Sequence, residues 1–155
     1  MYLLDTNVIS LLAPTNRRTD ADEELAAWIV ERPPDLWLSV ITAAEIEDGI
    51  SNAARIGASR KARDLKEWWG EIRHYYGNRI LPLDLEIAIL SGRLMTVGRA
   101  AGSSPGFEDI AIAATGQRHD LIVLTANDKD FRHLGIRYLN PFEALSGKGL
   151  TERPR

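Results

Sequence analysis

Near its N-terminus the chain reads Tyr2-Leu3-Leu4-Asp5-Thr6-Asn7, and this short stretch predicts both a strand and a site. Three apolar residues that run directly into a carboxylate, a hydroxyl and an amide are typical of a buried strand that delivers polar groups to the edge of a sheet. In open α/β sheets, ligands bind at the carboxyl ends of the strands. We therefore expect Asp5 to lie at a functional edge, together with any other acids that the chain brings there.

Four later segments also predict strands, and helical segments alternate with strands along the chain. The strands are expected at Leu36–Ile41, Arg79–Leu83, Asp120–Thr125 and Ile136–Leu139. This alternation argues for a parallel sheet with helices on both faces, since parallel strands need crossover connections that pack on the sheet. The predicted fold class is therefore α/β, with a central parallel sheet of four to five strands.

Length and composition are those of one soluble globular domain. The chain has 155 residues, 45% of them hydrophobic and 26% charged, and no apolar run near the ~20 residues of a membrane span. Asp5 interrupts any signal-peptide pattern, and the absence of cysteine excludes disulfides and favours a cytoplasmic location. The net charge of −3 means that nucleic-acid binding needs a local basic patch or bound cations. We expect a domain over 1–145 and a polar, disordered tail over 146–155.

Several local features are expected to be structural. Residues Ile56–Gly77 predict one long, basic helix, with Trp68 and Trp69 in the core or at a subunit interface rather than stacked on bases. Asp84 is expected to cap the helix that follows it, so we do not count it as catalytic. Gly98–Gly106 contains three glycines, two serines and a proline, and it predicts a mobile loop beside the site.

Three further regions place acids at strand ends or in the first turn of the following helix. Glu45 either completes a capping box with Thr42 at the N-cap, or lies on the first turn of a helix that leaves the carboxyl edge, aimed at Asp5. Asp109 shares a face with small apolar residues, and it is either an acid stabilised by the helix dipole or a ligand. The third region follows the fourth strand and contains Asn127, Asp128 and Asp130.

The joint pattern is more informative than any single acid. Carboxylates gathered at one edge repel and raise one another's pKa, so an unpaired cluster is unfavourable. A hard divalent cation reverses this, and Mg²⁺ or Mn²⁺ suits oxygen ligands. Such a site can activate water, bridge a phosphate oxygen and stabilise the leaving 3′ oxygen, so we predict a metal-dependent nuclease. Zinc is not expected, since cysteine is absent and the histidines are scattered, at His74, His119 and His133.

Five groups of residues, in order along the chain, carry a resemblance to a known family. They are Leu4-Asp5-Thr6-Asn7-Val8-Ile9-Ser10, then Ser39-Val40-Ile41-Thr42 with Glu45-Ile46 and Gly49-Ile50, then Asp109 with Ile112-Ala113-Ala114-Thr115, then Thr125 with Asn127 and Asp130-Phe131, and finally Leu139-Asn140-Pro141-Phe142. In this order they resemble the PIN-domain ribonucleases of the VapC toxin family, in particular the FitB-like branch. Each group alone is weak, whereas the ordered set is specific.

The resemblance implies a three-layer α/β/α fold and the toxin of a type II toxin–antitoxin pair. Such a toxin cuts RNA with Mg²⁺ or Mn²⁺, binds a cognate antitoxin and forms a homodimer or a higher oligomer with it. Carried over by motif, the catalytic, metal-binding acids are Asp5, Glu45, Asp109 and Asp130, with Thr6 and Asn127 in support.

Some positions depart from the family pattern. Asn127 stands where related chains often have an acid, and Asp128 has no clear counterpart, so Asn127, Asp128 and Asp130 all stay open as the fourth ligand. Ala126 stands where arginine is common, and Gly116 where alanine is common. Because of these departures, the resemblance does not carry over a second metal ion or some of the substrate contacts. The groups that select the RNA are expected near Arg17, Arg18 and Ser103-Ser104.

Three alternative functions are open on the sequence alone. A flap-type DNA nuclease would share the acids, but it usually needs further acids and a DNA-grasping insertion. A phospho-acceptor signalling domain would need paired acids after the first strand and a lysine after the fifth, where this chain has Asn140-Pro141. A catalytically inactive PIN-like domain would serve as a binding module.

Overall fold

A five-stranded parallel sheet forms the centre of the computed structural model, which describes residues 1–14 and 18–146. The order of the strands across the sheet is β3-β2-β1-β4-β5, with bounds β1 Tyr2–Leu4, β2 Leu36–Ser39, β3 Ile80–Leu81, β4 Ile122–Leu124 and β5 Tyr138–Leu139. In the middle, Leu3 is in register with Trp37 of β2 and with Val123 of β4. The predicted parallel α/β sheet is confirmed, with the larger of the two expected strand numbers.

The helices connect the strands and cover both faces of the sheet. Their bounds in the described residues are α1 Thr6–Ile9, α2 Asp20–Glu31, α3 Val40–Arg55, α4 Ser59–Tyr76, α5 Leu85–Ala100, α6 Phe107–Arg118, α7 Asp128–Phe131 and α8 Pro141–Ser146. Short 3₁₀ turns lie at Ser10–Leu12, Pro33–Asp35 and Gly77–Arg79.

Two hydrophobic clusters, one on each face of the sheet, make the three-layer arrangement. Successive residues of a strand point to opposite faces, so β1 contributes to both clusters. Leu4 packs with Trp28 of α2 and Trp69 of α4 on one face, whereas Leu3 packs with Ile110 of α6 on the other. Because β1 is buried on both sides, the acid that follows it emerges from the most enclosed part of the fold.

The second strand is shorter than expected, and this changes the register of the helix after it. β2 ends at Ser39, whose hydroxyl caps α3 by accepting from the N–H of Ile41 at 3.1 Å. Thr42 is therefore a buried residue inside α3, and the predicted capping box between Thr42 and Glu45 is wrong. Glu45 is also the sixth residue of α3, on its second turn rather than its first. The β-branched residues after Ser39 resemble strand residues, yet they begin the helix.

Two other helix bounds differ from the prediction. The long helix expected over Ile56–Gly77 begins only at Ser59, because Gly57 adopts a φ of +79° that ends α3. The loop expected over Gly98–Gly106 begins later, since α5 continues to Ala100 and buries Gly98. In contrast, Asp84 caps α5 as predicted, by accepting from the N–H of Ile87 at 2.8 Å. Both predicted tryptophans of α4, Trp68 and Trp69, are buried in the core.

The helix α6 approaches the sheet closely at a glycine. A Cβ atom on Gly116 would lie 2.6 Å from Cγ2 of Val123 and 3.8 Å from Cδ2 of Leu3. Val123 is fully buried in β4 and cannot swing away. The absence of a side chain at Gly116 therefore sets the distance between α6 and the central strands, and α6 carries Asp109.

Some sequence expectations fall outside the described part of the chain. Arg17, one of the residues expected near the RNA, lies there, as does the predicted tail except for Ser146, the last residue of α8. Among the residues that the structure describes, no helix is both long and apolar enough to cross a membrane.

Candidate active site at the carboxyl edge of the sheet

Asp5 lies at the carboxyl end of β1, where it caps α1, and it is only 3% exposed. Its Oδ1 accepts from the backbone N–H of Thr6 at 2.7 Å. Its Oδ2 accepts from the side-chain amide of Asn7 at 2.5 Å and from the hydroxyl of Thr125 at 2.6 Å. Burial raises the pKa of Asp5, while these three donors oppose that shift. The sheet thus fixes the first predicted acid in one orientation.

Glu45 reaches the same edge from α3. Thr6 donates its hydroxyl to Oε2 of Glu45 in a short hydrogen bond, so Thr6 links the end of β1 to α3. Glu45 is half-buried, and burial is the main cause that raises its pKa. The negative charges of Asp5 and Glu108 raise the pKa further. Thr6, predicted to support Asp5, therefore contacts Glu45 as well.

Asp109 enters from the first turn of α6. Burial and, after it, the charges of Asp5, Asp130 and Glu45 together raise its pKa from 3.8 to about 6. The amide of Asn127 opposes the shift by donating to Oδ1 of Asp109 at 3.4 Å. The other three predicted acids therefore lie close enough for their charges to act on Asp109.

The residues after β4 take different parts in the site. Asn127 and Asp130 both act on Asp109, the first by a hydrogen bond and the second by its charge. Asp128 is exposed and engaged elsewhere: the hydroxyl of Tyr138 donates to it at 2.5 Å, and Nε of Arg132 lies 4.0 Å from it. Of the three candidates for the fourth position, the structure brings Asn127 and Asp130 to the other acids.

The fit to a metal ion is partial in this arrangement. Within residues 1–14 and 18–146, no three His, Asp or Glu side chains form a group that could hold a metal ion as they stand. Hydrogen bonds occupy the oxygens of Asp5 and one oxygen each of Glu45 and Asp109. The chemistry of the donors nevertheless suits a hard cation, because they are carboxylate oxygens whose charges oppose one another. Assignment of these acids as metal ligands stays a prediction.

Glu108 was missed by sequence reasoning, and Asn7 was placed at this edge without its contacts. Glu108, next to Asp109, acts on Glu45 by its charge, and only its place in the first turn of α6 could have indicated this. Asn7 contacts Asp5, Thr125 and the backbone of Ala126. Its position two residues after Asp5 was a signal, but its partners 118 and 119 residues away could not be read from spacing.

The chain matches known proteins over most of its length. A model of the PIN domain family matches residues 2–136. VapC ribonuclease Y4jK of Sinorhizobium fredii is 33% identical to it, over 92% of this chain and 99% of the relative. Toxin FitB of Neisseria gonorrhoeae is 31% identical, over 92% of this chain and 99% of its own.

Solved structures agree with this match. The crystal structure of FitAcB from Neisseria gonorrhoeae gives a TM-score of 0.78 at 31% identity, covering 92% of this chain and 99% of the other. A toxin-antitoxin complex from Klebsiella pneumoniae gives a TM-score of 0.61 at 25% identity, covering 91% and 98%. Since the family model spans most of the chain and the relatives cover nearly all of it, the chain belongs to the PIN-domain family, within its group of VapC and FitB proteins.

Proposed function

We propose that the chain is a metal-dependent endoribonuclease and the toxin of a type II toxin–antitoxin module. The observation that carries the proposal is the meeting of acids from three elements at one sheet edge, where Thr6 bonds to both Asp5 and Glu45 and Asn127 bonds to Asp109. Burial and the charges of Asp5, Asp130 and Glu45 raise the pKa of Asp109 to about 6, which agrees with this placement. Acids held this close without a counter-charge are unfavourable, and they become favourable when a cation is present. Similarity to a VapC ribonuclease over 92% of the chain supports RNA as the substrate.

Asp5, Glu45, Asp109 and Asp130 would hold the ion, Mg²⁺ or Mn²⁺. When bound, the ion would supply a water of lowered pKa and neutralise charge on the phosphodiester and the leaving 3′ oxygen. The protein's own part is to orient the acids. Thr6 holds Glu45, and Asn127 restrains Asp109. Hydrolysis then breaks the bond between phosphorus and the 3′ oxygen as water adds to phosphorus, and the water's protons pass to the leaving oxygen and to solvent.

We propose a cognate antitoxin as the protein partner, with the chain forming a homodimer or, together with the antitoxin, a higher oligomer, in the cytoplasm. Similarity to a toxin-antitoxin complex supports the partner. A groove of about 870 Å³ between α2 and α4 offers a place for a peptide. Its lining is mainly apolar, with Ile29 and Tyr75, and carries the acids Glu67 and Glu71. These features favour a segment with apolar anchors and basic flanks.

A second candidate is a catalytically inactive PIN module that binds without cleaving. It is favoured by the hydrogen bonds that occupy the acids and by Asn127, which supplies an amide where related chains often have a carboxylate. A flap-type DNA nuclease has less support, because the described chain is accounted for by the compact three-layer domain.

The test is a Mn²⁺ and Mg²⁺ titration of cleavage, with single-stranded RNA, single-stranded DNA and a DNA flap as separate substrates. We expect RNA cleavage that rises with metal and is abolished by EDTA. Cleavage of the flap alone would assign the DNA nuclease, and Mn²⁺ binding or RNA binding with no cleavage would assign the inactive module.

A further inference from the structure

We propose that Asn7 is a positioning residue of the candidate active site, which ties the loop after β4 to the end of β1 and so fixes Asp5 and Asn127. The proposal rests on the proposed nuclease function. Asn7 is the second residue of α1 and its side chain is exposed, so it does not fill the core. Its contacts therefore have to be explained by what lies at the site.

Both ends of the Asn7 amide are engaged. Its Nδ2 lies 2.5 Å from Oδ2 of Asp5 and 3.3 Å from Oγ1 of Thr125. Its Oδ1 accepts from the backbone N–H of Ala126 at 3.1 Å. This places the donor end toward a carboxylate and the acceptor end toward a backbone N–H, which is the only orientation that satisfies both. An exposed amide could bond to water instead. The hydrogen bonds must therefore offset the conformational entropy that is lost when the Asn7 side chain is fixed.

The loop that Asn7 holds also carries the groups that face Asp109. Thr125 donates to Asp5 at 2.6 Å and accepts from the N–H of Asn127 at 2.9 Å. Asn127 in turn reaches Asp109 at 3.4 Å. Hydrogen bonds thus run from the end of β1 to the first turn of α6, and Asn7 contacts them at Asp5 and at Thr125. Removal of such outer partners typically costs about 10–100-fold in metal affinity or activity.

The experiment compares the full-length wild type with Asn7→Ala, and uses Asn140→Ala as the matched control. Asn140 also accepts from a backbone N–H, that of Phe142 at 3.1 Å, but at the start of α8. Three quantities are measured: hydrogen exchange of the Ala126 amide without metal, the Kd for Mn²⁺ by calorimetry, and kcat and KM on RNA.

For Asn7→Ala we expect exchange of the Ala126 amide to accelerate about tenfold or more, because opening of the loop no longer breaks a bond to Asn7. The Kd for Mn²⁺ and kcat should each worsen by about 10–100-fold, while KM for RNA changes less than about twofold. Asn140→Ala should leave all three unchanged.

Wild-type exchange at Ala126 with unchanged Mn²⁺ affinity in Asn7→Ala overturns the proposal, and so does an equal loss in Asn140→Ala. If Asn7→Ala does not fold, Asn7→Ser repeats the test, since its hydroxyl is too short to reach both Asp5 and Ala126. A wild type that neither binds Mn²⁺ nor cleaves RNA overturns the proposed function instead. In that case exchange of the Ala126 amide alone decides whether Asn7 holds the loop.

Discussion

The β1 side and the α6 side of the candidate site are held to very different degrees. At the end of β1, Asp5 is 3% exposed and accepts three hydrogen bonds of 2.5 to 2.7 Å. On the α6 side, Asp109 is half-buried and its partner among the described residues is Asn127, at 3.4 Å. An acid that several donors restrain keeps its position whatever its charge. In the part of the chain that the structure describes, Asp109 lacks such donors, and burial together with the charges that face it raises its pKa to about 6.

This contrast indicates that the two sides of the site contribute differently. The β1 side is ordered by the sheet before any cation or substrate arrives. The α6 side is electrostatically unbalanced, because Asp109 faces Asp5, Asp130 and Glu45. A cation that enters the site should therefore change the α6 side most, while the loss of the β1 side should remove the site altogether.

The largest effect is expected from Asp5→Asn, which removes the charge of the ordered side. RNA cleavage should fall on the order of 10³-fold, the equivalent of several kcal/mol in the transition state. The fold should persist, since an amide of the same shape remains. The metal-free melting temperature should change little, because the removal of a buried charge is offset by an NH₂ group that cannot accept the hydrogen bonds of one Asp5 oxygen. Kinetics and thermal melts measure both. Asp84→Asn is the control, because asparagine caps a helix as well as aspartate does. Full activity in Asp5→Asn, with contaminating nuclease excluded, contradicts the assignment.

A basic residue of the antitoxin should act on both sides of the site at once. We expect a lysine or arginine of its C-terminal segment to enter among Asp5, Glu45 and Asp109 while the segment lies along the Leu36–Gly77 region. A charge-assisted bond of this kind contributes ~1.5–3 kcal/mol. Its replacement by alanine should restore RNA cleavage before the complex dissociates, because apolar contacts hold the rest of the segment. Cleavage assays and calorimetry on the same complex separate the two effects, and full inhibition by the variant would make the block steric or allosteric.

On the α6 side, Asp130→Asn should weaken Mn²⁺ binding and reduce activity by about tenfold, and Asp128→Asn much less. Asp130 acts on Asp109 through its charge, whereas Asp128 is held by Tyr138 and Arg132. Calorimetry on both variants gives the comparison. A larger loss at Asp128 would mean that the loop rearranges when the ion binds.

The smallest effect concerns the pH dependence of metal-free stability. The pKa of Asp109 is raised from 3.8 to about 6, so its contribution to stability is fully present below pH 3.8 and is lost as the pH rises through 6. Asp109→Asn should therefore be more stable than the wild type above pH 7, and the advantage should vanish below pH 4. After allowance for solvent screening at this half-buried group, we expect the free energy of unfolding of Asp109→Asn to exceed that of the wild type by about 1 kcal/mol above pH 7. Denaturant melts from pH 3.5 to 8 in EDTA measure it, and a constant difference across that range would exclude Asp109 as its source.

Much of the fold could be predicted from the order of apolar and polar residues. Each predicted strand is present, and the acids after β1 and β4 lie at the expected edge. The register of α3 could not be predicted, because Val40 and Ile41 have strand propensities that the cap at Ser39 overrides. Residue type and spacing alone thus misplace Glu45 by one helical turn.

The hydrogen bonds within the site could not be predicted either. Whether Asp128 or Asp130 faces Asp109 depends on how α7 turns and on the hydroxyl of Tyr138, ten residues further on. The bonds from Asn7 to Thr125 and Ala126 depend on the distance between two adjacent parallel strands, which no local pattern encodes. The sequence thus predicted which edge of the sheet the acids lie at, and the structure was needed to show what holds them.

The close approach of α6 to β4 bears on how this chain is to be compared with its relatives. The resemblance to the family implies alanine at the position of Gly116, where Cγ2 of Val123 lies 2.6 Å from the place that a Cβ would take. The side chain of Val123 thus occupies the space between helix and strand that a side chain at position 116 would need. Gly116→Ala alone would overfill this space and move the helix that carries Asp109, although it adds only one methyl group. We expect Gly116→Ala to be tolerated only when Val123 is replaced by a smaller residue at the same time.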